Sequence, residues 1–171
     1  MNKKTNQIAI AGMIAAIYVV LTFVANVMGL ANYAVQVRFS EALTILPALT
    51  FAAVPGVSVG CLLANIITGC ALPDIIFGTI ATVIGAFGTY ALRKTGNKWL
   101  YPVPPILANT IIVPLILIYG YDLRLEGVSD LYTYFYYAAT VGAGEIISCG
   151  ILGLLLYAAI SKRKGQLGIA E

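Results

Sequence analysis

Residues 8–30 read IAIAGMIAAIYVVLTFVANVMGL, an apolar run of 23 residues without a charged side chain. A helix needs about 20 such residues to cross a bilayer. Lys3 and Lys4 precede the run, as they would in a secretory signal peptide, but the apolar core of a signal peptide has only about 7–15 residues. We therefore predict a retained first membrane helix, and a cleaved signal is the alternative.

The composition of the whole chain extends this interpretation. Of its 171 residues, 60% are hydrophobic and 10% are charged, and the net charge is +3. Globular proteins have about 25% charged residues, so this chain cannot solvate the surface of an ordinary soluble protein. The composition excludes a cytosolic enzyme, a disordered chain and a nucleic-acid-binding protein, and it leaves a protein that crosses the membrane several times.

Residues that usually carry catalysis or hold metals are scarce. The chain has no histidine, and Cys61, Cys70 and Cys149 lie in apolar stretches without C-x-x-C spacing. This pattern disfavours a zinc site or a disulfide framework. The sequence also lacks a Walker A motif for nucleotide binding. We predict no catalytic residue, no metal site and no cofactor, so active uptake would need energy from another subunit.

The remaining apolar runs predict an all-α fold, because backbone polar groups must be paired inside a bilayer. The runs are too long for barrel strands and do not alternate with a period of two. We predict a polytopic membrane protein that forms a six-transmembrane-helix bundle in one domain, residues 1–171. Pro55 and Pro73 mark tight breaks, and Asp74 is a candidate N-cap. The predicted spans are 5–27, 40–53, 57–71, 75–92, 104–119 and 130–160.

The distribution of lysine and arginine predicts the orientation. With six spans, one side holds only Arg38 and Arg124, and the other side holds eight of the ten basic residues. Basic loops stay in the cytoplasm, so we predict a multi-pass protein of the cell membrane with both termini cytoplasmic. The eight residues are Lys3, Lys4, Arg93, Lys94, Lys98, Lys162, Arg163 and Lys164.

The first helix carries small residues near its basic start. Ala11 and Ala15 are four residues apart, and Gly12 lies between them. Small residues at this spacing let helices approach closely in lipid. They indicate either packing within the protein or a docking surface for the helix of a partner.

Four ionisable side chains lie beside or inside the predicted spans, namely Arg38, Glu41, Asp74 and Glu145. A charge near the bilayer centre costs about 2.5–3.5 kcal/mol, so each needs a partner, water or a ligand. Arg38 and Glu41 are three residues apart, and they either form an internal salt bridge or hold a ligand. Gln36 alternates with Arg38 and adds an amide on the same side. Asp74 either caps a helix or meets a cationic ligand group.

Glu145 is the strongest candidate for ligand binding. It lies well inside the last span, beside two glycines and far from any basic residue of the same helix. Arg38, Asn65 or Asn109 could hold it in a structural role, but an intramembrane carboxylate is functional by default. Its two oxygens can accept a parallel pair of hydrogen bonds. Asn65 and Asn109 either join helices or read the donors and acceptors of a ligand.

Three segments of the chain resemble a known family. They are VQVRFSEAL at 35–43, CLLAN at 61–65 and DIIFGTIAT at 74–82. They are similar to the QueT-type queuosine-precursor group among the substrate-binding S-components of energy-coupling factor (ECF) transporters, and the resemblance covers nearly the whole chain. It implies a six-helix membrane protein that binds a 7-deazaguanine, such as preQ1, preQ0 or queuine, near its outer face.

The resemblance also implies partners. S-components pair with a transmembrane coupling subunit and two ATPases, and they topple in the membrane to deliver the substrate. The chain would therefore be a transport subunit and not an enzyme. Its first helix would dock through Ala11 and Ala15, with Gly12 as a departure from the alanine motif. We expect the substrate to contact the polar residues described above: Glu145, Asn109, Asp74, Asn65, Arg38, Gln36 and Glu41.

Other functions remain open at this point. The substrate of an S-component with these residues could instead be another vitamin or a pterin or folate-like compound, because the edge of a pterin resembles that of guanine. A small secondary transporter that works alone and a structural membrane subunit without a ligand are the remaining alternatives.

Overall fold

The structure is a computed structural model, and it describes residues 2–30 and 37–163. These residues contain helices and no strand, which confirms the predicted all-α membrane bundle. Large apolar side chains such as Phe23, Ile84 and Leu107 are exposed on the outside of the bundle. This is expected of a surface that contacts lipid in a membrane. Among the described residues, four helices are long and apolar enough to cross a membrane: Lys3–Val27, Asp74–Thr95, Lys98–Gly120 and Asp130–Ser161.

Two π segments interrupt the regular helices. One, Asp74–Gly78, leads into helix α3 (Thr79–Leu92). The other, Ile146–Leu152, joins α5 (Asp130–Glu145) to α6 (Gly153–Ser161) in one long helix. A π turn holds an extra residue and frequently occurs at functional sites. Asp74 begins the first segment, and Glu145 directly precedes the second. The regular helices are α1 (Lys3–Val27), α2 (Ala53–Ile67), α3 (Thr79–Leu92), α4 (Val103–Gly120), α5 (Asp130–Glu145) and α6 (Gly153–Ser161).

The region of the second predicted span, 40–53, holds a 3₁₀ helix instead of a spanning α-helix. Phe39–Ala48 is ten residues long, and at about 2.0 Å per residue it is too short to cross the bilayer. The hydroxyl of Thr44 donates to the Glu41 carbonyl oxygen at 2.6 Å, and Pro47 has no N–H to donate. Because α1, α3, α6 and the second π segment pack around this helix, it places Glu41 inside the bundle.

The predicted break at residues 54–56 is wrong. Helix α2 begins at Ala53, so Pro55 lies in its first turn. A proline is tolerated there because the first N–H groups of a helix have no partner within the helix. Gly56 and Gly60 face α1: a Cβ on Gly60 would lie 2.7 Å from the Tyr18 Cβ. The two glycines let α1 and α2 approach closely.

The two ends of the bundle differ in charge. The start of α1, the end of α3, the start of α4 and the end of α6 meet at what we term the basic end, where the rings of Tyr101 and Tyr157 are 5.3 Å apart. Seven basic residues lie there, and Lys164 is outside the described residues. All six acidic residues that the structure describes lie toward the other end, termed the acidic end: Glu41, Asp74, Asp122, Glu126, Asp130 and Glu145.

Candidate functional site

A cavity of about 340 Å³ lies at the acidic end of the bundle. Its volume is within the range of about 300–1,000 Å³ that is typical of small-molecule sites. Val113, Ile116 and Leu117 of α4 form part of its apolar wall. Its polar lining includes Thr22, Asn26, Arg38, Asn65, Asp74 and Tyr121. The cavity can therefore hold a small molecule that has both apolar and polar groups.

Asp74 is the buried acid of this cavity. The Tyr121 hydroxyl donates to its Oδ2 at 3.1 Å, and the Arg38 Nη2 lies 3.8 Å from the same oxygen. The predicted role of Asp74 as an N-cap is wrong, because Pro73 stands at the cap position and no side chain caps this segment. The carboxylate instead faces partners that come from distant parts of the chain.

Tyr121 keeps its proton in this arrangement. Burial raises the pKa of Tyr121 to about 12, and the negative charge of Asp74 contributes to the shift. The hydroxyl therefore stays a donor to Asp74 at neutral pH. It also accepts a hydrogen bond from the Ala71 N–H at 3.1 Å, which ties the end of α4 to the loop before α3.

Asn65 contacts the backbone of Asp74, and Gly78 lies against its carboxylate. The Asn65 amide nitrogen donates to the Asp74 carbonyl oxygen at 3.3 Å, which joins the end of α2 to the first π segment. A Cβ on Gly78 would lie 2.7 Å from the Asp74 Oδ1. A side chain at residue 78 would therefore compete with the Asp74 carboxylate for the same space.

A second and much smaller cavity, of about 10 Å³, adjoins the first. It is only about large enough for one water molecule. Arg38 and Val113 line both cavities, so the guanidinium of Arg38 lies between them. The smaller cavity is also lined by Glu41, Gly78, Thr82, Asn109, Val141 and Glu145.

Glu41 and Glu145 come together at this smaller cavity, which we term the inner cavity. Both are buried, and an oxygen of each lies within 4.8 Å of the other and of the Cys149 Sγ. The Tyr18 hydroxyl donates to the Glu41 Oε1, and the Cys149 thiol donates to the Glu145 Oε2 at 3.0 Å. The enclosed Glu41 Oε2 accepts no hydrogen bond from any residue that the structure describes. Asn109 lies close to both carboxylates.

This pair of acids suits a cation or a group rich in N–H donors. Two adjacent buried carboxylates repel each other and are costly without a positive partner. Glu41, Glu145 and Cys149 also provide three atoms of the kinds that bind metal ions. The predicted pairing of Arg38 with Glu41 differs from the ion pair in the structure, which joins Arg38 to Asp74.

The structure brings together six of the seven residues that the sequence singled out for the substrate. Arg38, Asn65 and Asp74 line the larger cavity, and Arg38, Glu41, Asn109 and Glu145 line the smaller one. Gln36 lies outside the described residues.

Sequence reasoning missed three residues that contact these acids: Tyr18, Tyr121 and Cys149. Cys149 follows Glu145 by four residues in the same helix, and this spacing alone could have indicated the contact. The contacts of Tyr18 with Glu41 and of Tyr121 with Asp74 join distant segments, so no local pattern indicates them.

The three residues proposed for docking divide between two environments. Ala15 is buried, and a Cβ on Gly60 would lie 3.1 Å from its Cα. The Ala11 carbonyl oxygen similarly faces Gly56. Gly12 is exposed, and a Cβ there would meet no atom of the described residues within 4 Å. Ala11 and Ala15 therefore belong to the contact between α1 and α2, while Gly12 lies on the free face of α1.

Comparison with known proteins identifies the family. The family model of the QueT transporter matches residues 8–162 of this chain. No curated protein and no solved structure matches it significantly. The match covers most of the 171 residues and agrees with the resemblance carried by residues 35–43, 61–65 and 74–82. The chain therefore belongs to the QueT transporter family and is a membrane protein with a transport role.

Proposed function

We propose that this chain is the substrate-binding component of an ECF-type importer and that its substrate is a 7-deazaguanine precursor of queuosine. The observation that carries the proposal is the enclosed pair of carboxylates, Glu41 and Glu145, beside a cavity of about 340 Å³ that holds a third acid, Asp74. The membership of the QueT transporter family supports a transport role.

The chemistry of a 7-deazaguanine matches this arrangement. Its ring is flat and presents adjacent N–H donors on one edge, to which a carboxylate can bind through both oxygens. Glu145 and the Oε2 of Glu41, which accepts no hydrogen bond from the described residues, are the acceptors that could meet this edge. Asn109, Asn65 or Gln36 could form hydrogen bonds with the lactam oxygen and ring nitrogens, and Arg38 supplies further donors. Asp74 would meet the ammonium group of preQ1.

Binding requires the inner cavity to widen. At about 10 Å³ it is too small for the edge of a purine-like ring. Val113 of α4 and Val141 of α5 both line it, so a small separation of these helices would join the two cavities. In this proposal the ring occupies the larger cavity and its donor edge enters the smaller one.

Delivery of the substrate depends on partner subunits in this proposal. A transmembrane coupling subunit and two ATPases would supply the energy, since the sequence has no nucleotide-binding motif. The coupling subunit would dock on the free face of α1, where Ala9, Gly12 and Ala16 are exposed. The positive-inside rule puts the basic end in the cytoplasm of a cell-membrane protein, so the larger cavity would face outward.

Calorimetry on the purified chain in detergent tests the proposed substrate. We expect preQ1, preQ0 or queuine to bind at submicromolar concentration and guanine much more weakly. The Glu145→Gln variant should lose at least tenfold in affinity, or about 1.4 kcal/mol, because an amide cannot accept the same pair of hydrogen bonds. Glu126→Gln, in an exposed position, is the matched control and should bind as the wild type does.

Two results would contradict the proposal. If no deazaguanine binds to the folded protein, the proposed substrate is wrong. Tight binding of a folate or pterin in the same panel would then reassign the site, and binding of Mg²⁺ or Zn²⁺ alone would assign Glu41, Glu145 and Cys149 to a metal. If Glu145→Gln binds with wild-type affinity, Glu145 is not part of the site.

A secondary transporter that works alone is the second candidate. The buried acids Glu41 and Glu145 favour it, because carboxylates within a membrane also serve as proton relays in carriers. Substrate accumulation by the purified chain in liposomes without ATP would support this candidate. Accumulation only with the coupling subunit, the ATPases and ATP would support the ECF assignment.

A further inference from the structure

A separate cavity lies at the basic end of the bundle, remote from the two cavities described above. Its volume is about 200 Å³, and it is lined by Gln7, Leu49, Thr50, Phe51, Tyr90 and Arg93. These residues come from the second turn of α1, the turn that precedes α2, and the end of α3. The cavity therefore opens where three segments reach the same membrane surface.

Arg93 is held in this cavity without an acidic partner among the described residues. Its guanidinium carbon lies 3.9 Å from the centre of the Tyr90 ring, and Phe51 packs edge-on against that ring at 5.1 Å. Within residues 2–30 and 37–163, the enclosed Nη1 of Arg93 makes no hydrogen bond. The ion pairs of the described residues, which involve Arg38 and Arg124, all lie at the acidic end.

Stacking on tyrosine leaves the donor edge of a guanidinium available. An arginine held in this way keeps a planar fork of N–H groups that matches the oxygens of a phosphate. The Thr50 hydroxyl, which accepts from the Ala52 N–H at 3.3 Å, still has its own proton to donate. The Gln7 amide adds further donors. The cavity therefore combines several donors and one positive charge with an aromatic wall.

The surroundings indicate a phosphate that belongs to a lipid. Phe51, on the rim, is 45% exposed, and Trp99, at the same end, is 66% exposed. Exposed tryptophan rings such as that of Trp99 are typical of the boundary between lipid tails and headgroups. Basic pockets between membrane helices on the cytoplasmic side bind anionic lipid headgroups. We infer that the cavity formed by Gln7, Thr50, Phe51, Tyr90 and Arg93 binds the phosphate headgroup of an anionic phospholipid, whose acyl chains extend along Phe51.

Native mass spectrometry of the full chain in detergent tests this inference. With an equal mixture of phosphatidylglycerol and phosphatidylcholine, the wild type should retain one phosphatidylglycerol molecule at least tenfold more strongly than phosphatidylcholine. Arg93→Gln should abolish this preference. The matched control is Lys94→Gln, which removes an exposed charge from the adjacent residue and should change retention by less than twofold.

The controls separate a built site from general charge attraction and from poor folding. Equal losses in Arg93→Gln and Lys94→Gln would overturn the inference, because diffuse attraction treats both charges alike. Thr50→Val leaves every charge in place and should weaken phosphatidylglycerol retention several-fold, so it tests the site even if Arg93→Gln folds poorly. If inorganic phosphate alone binds and phosphatidylglycerol is not preferred over phosphatidylcholine, the lipid is not the ligand and the inference fails.

Discussion

Gly60→Ala should loosen the contact between α1 and α2. The added Cβ would lie 2.7 Å from the Tyr18 Cβ and 3.1 Å from the Ala15 Cα. Ordinary contacts of this kind begin at 3.4 Å, so the helices must separate by about 0.7 Å. Neither obstructing atom is the end of a flexible side chain. Overpacking of this type costs about 1–3 kcal/mol.

Gly12→Ala is the matched control on the other face of α1. A Cβ there meets no atom within 4 Å, and replacing glycine by alanine inside a helix stabilises it by about 0.5–1 kcal/mol. We expect SDS-induced unfolding in mixed micelles to occur at a lower SDS fraction for Gly60→Ala than for the wild type. Gly12→Ala should unfold at the wild-type fraction or above it.

A second measurement connects this contact to the site. Because the Tyr18 hydroxyl donates to Glu41, displacing Tyr18 should also weaken ligand binding in Gly60→Ala, but not in Gly12→Ala. Equal stability of Gly60→Ala and Gly12→Ala would contradict the close packing of α1 on α2 at Gly60. It would also contradict the buried position of Ala15 in that contact.

Tyr18→Phe should lower affinity for preQ1 several-fold in calorimetry, because the phenol holds the Glu41 carboxylate in position; wild-type affinity would mean that Glu41 does not need the phenol. Gly78→Ala should fold but lose more affinity for preQ1 than for preQ0 relative to the wild type, because its Cβ displaces the Asp74 carboxylate; equal losses for the two ligands would contradict contact between Asp74 and the ammonium group. Tyr121 has a raised pKa of about 12, against about 10 in an unfolded chain, so its contribution to stability is complete below pH 10 and is lost as the pH rises toward 12. Tyr121→Phe should flatten that part of the unfolding curve against pH, and an unchanged slope would contradict the raised pKa of Tyr121.

The sequence predicted the long membrane helices because their signal is local. A run such as residues 8–30 needs no knowledge of its neighbours to be recognised as a span. The 3₁₀ helix Phe39–Ala48 was not predicted, because an apolar composition suits an α-helix equally well. Two features accompany the tight winding of this segment. The surrounding helices pack against it, and the Thr44 hydroxyl donates to the Glu41 carbonyl oxygen. Neither is visible in the order of residues.

The candidate site was predictable in its members but not in their pairing. Glu145 and Asp74 stood out because a charge inside an apolar run is costly. Their partners lie elsewhere in the chain, as Tyr121 does for Asp74. The sequence also could not predict which face of α1 packs against α2, since Ala11 and Gly12 are both small. Gly56 on α2 decides which of the two is covered.

The π segment Ile146–Leu152 fixes the phase between the two halves of the last helix. On one side of it, Glu145 faces the inner cavity; on the other, a Cβ on Gly153 would lie 3.4 Å from the Ala42 carbonyl oxygen. One residue of an α-helix corresponds to about 100° of rotation. Removing a single residue between these two contacts would turn one of them away from its partner. The number of residues between these two contacts is therefore fixed. A change of length in one half of the helix would need a compensating change in the other half.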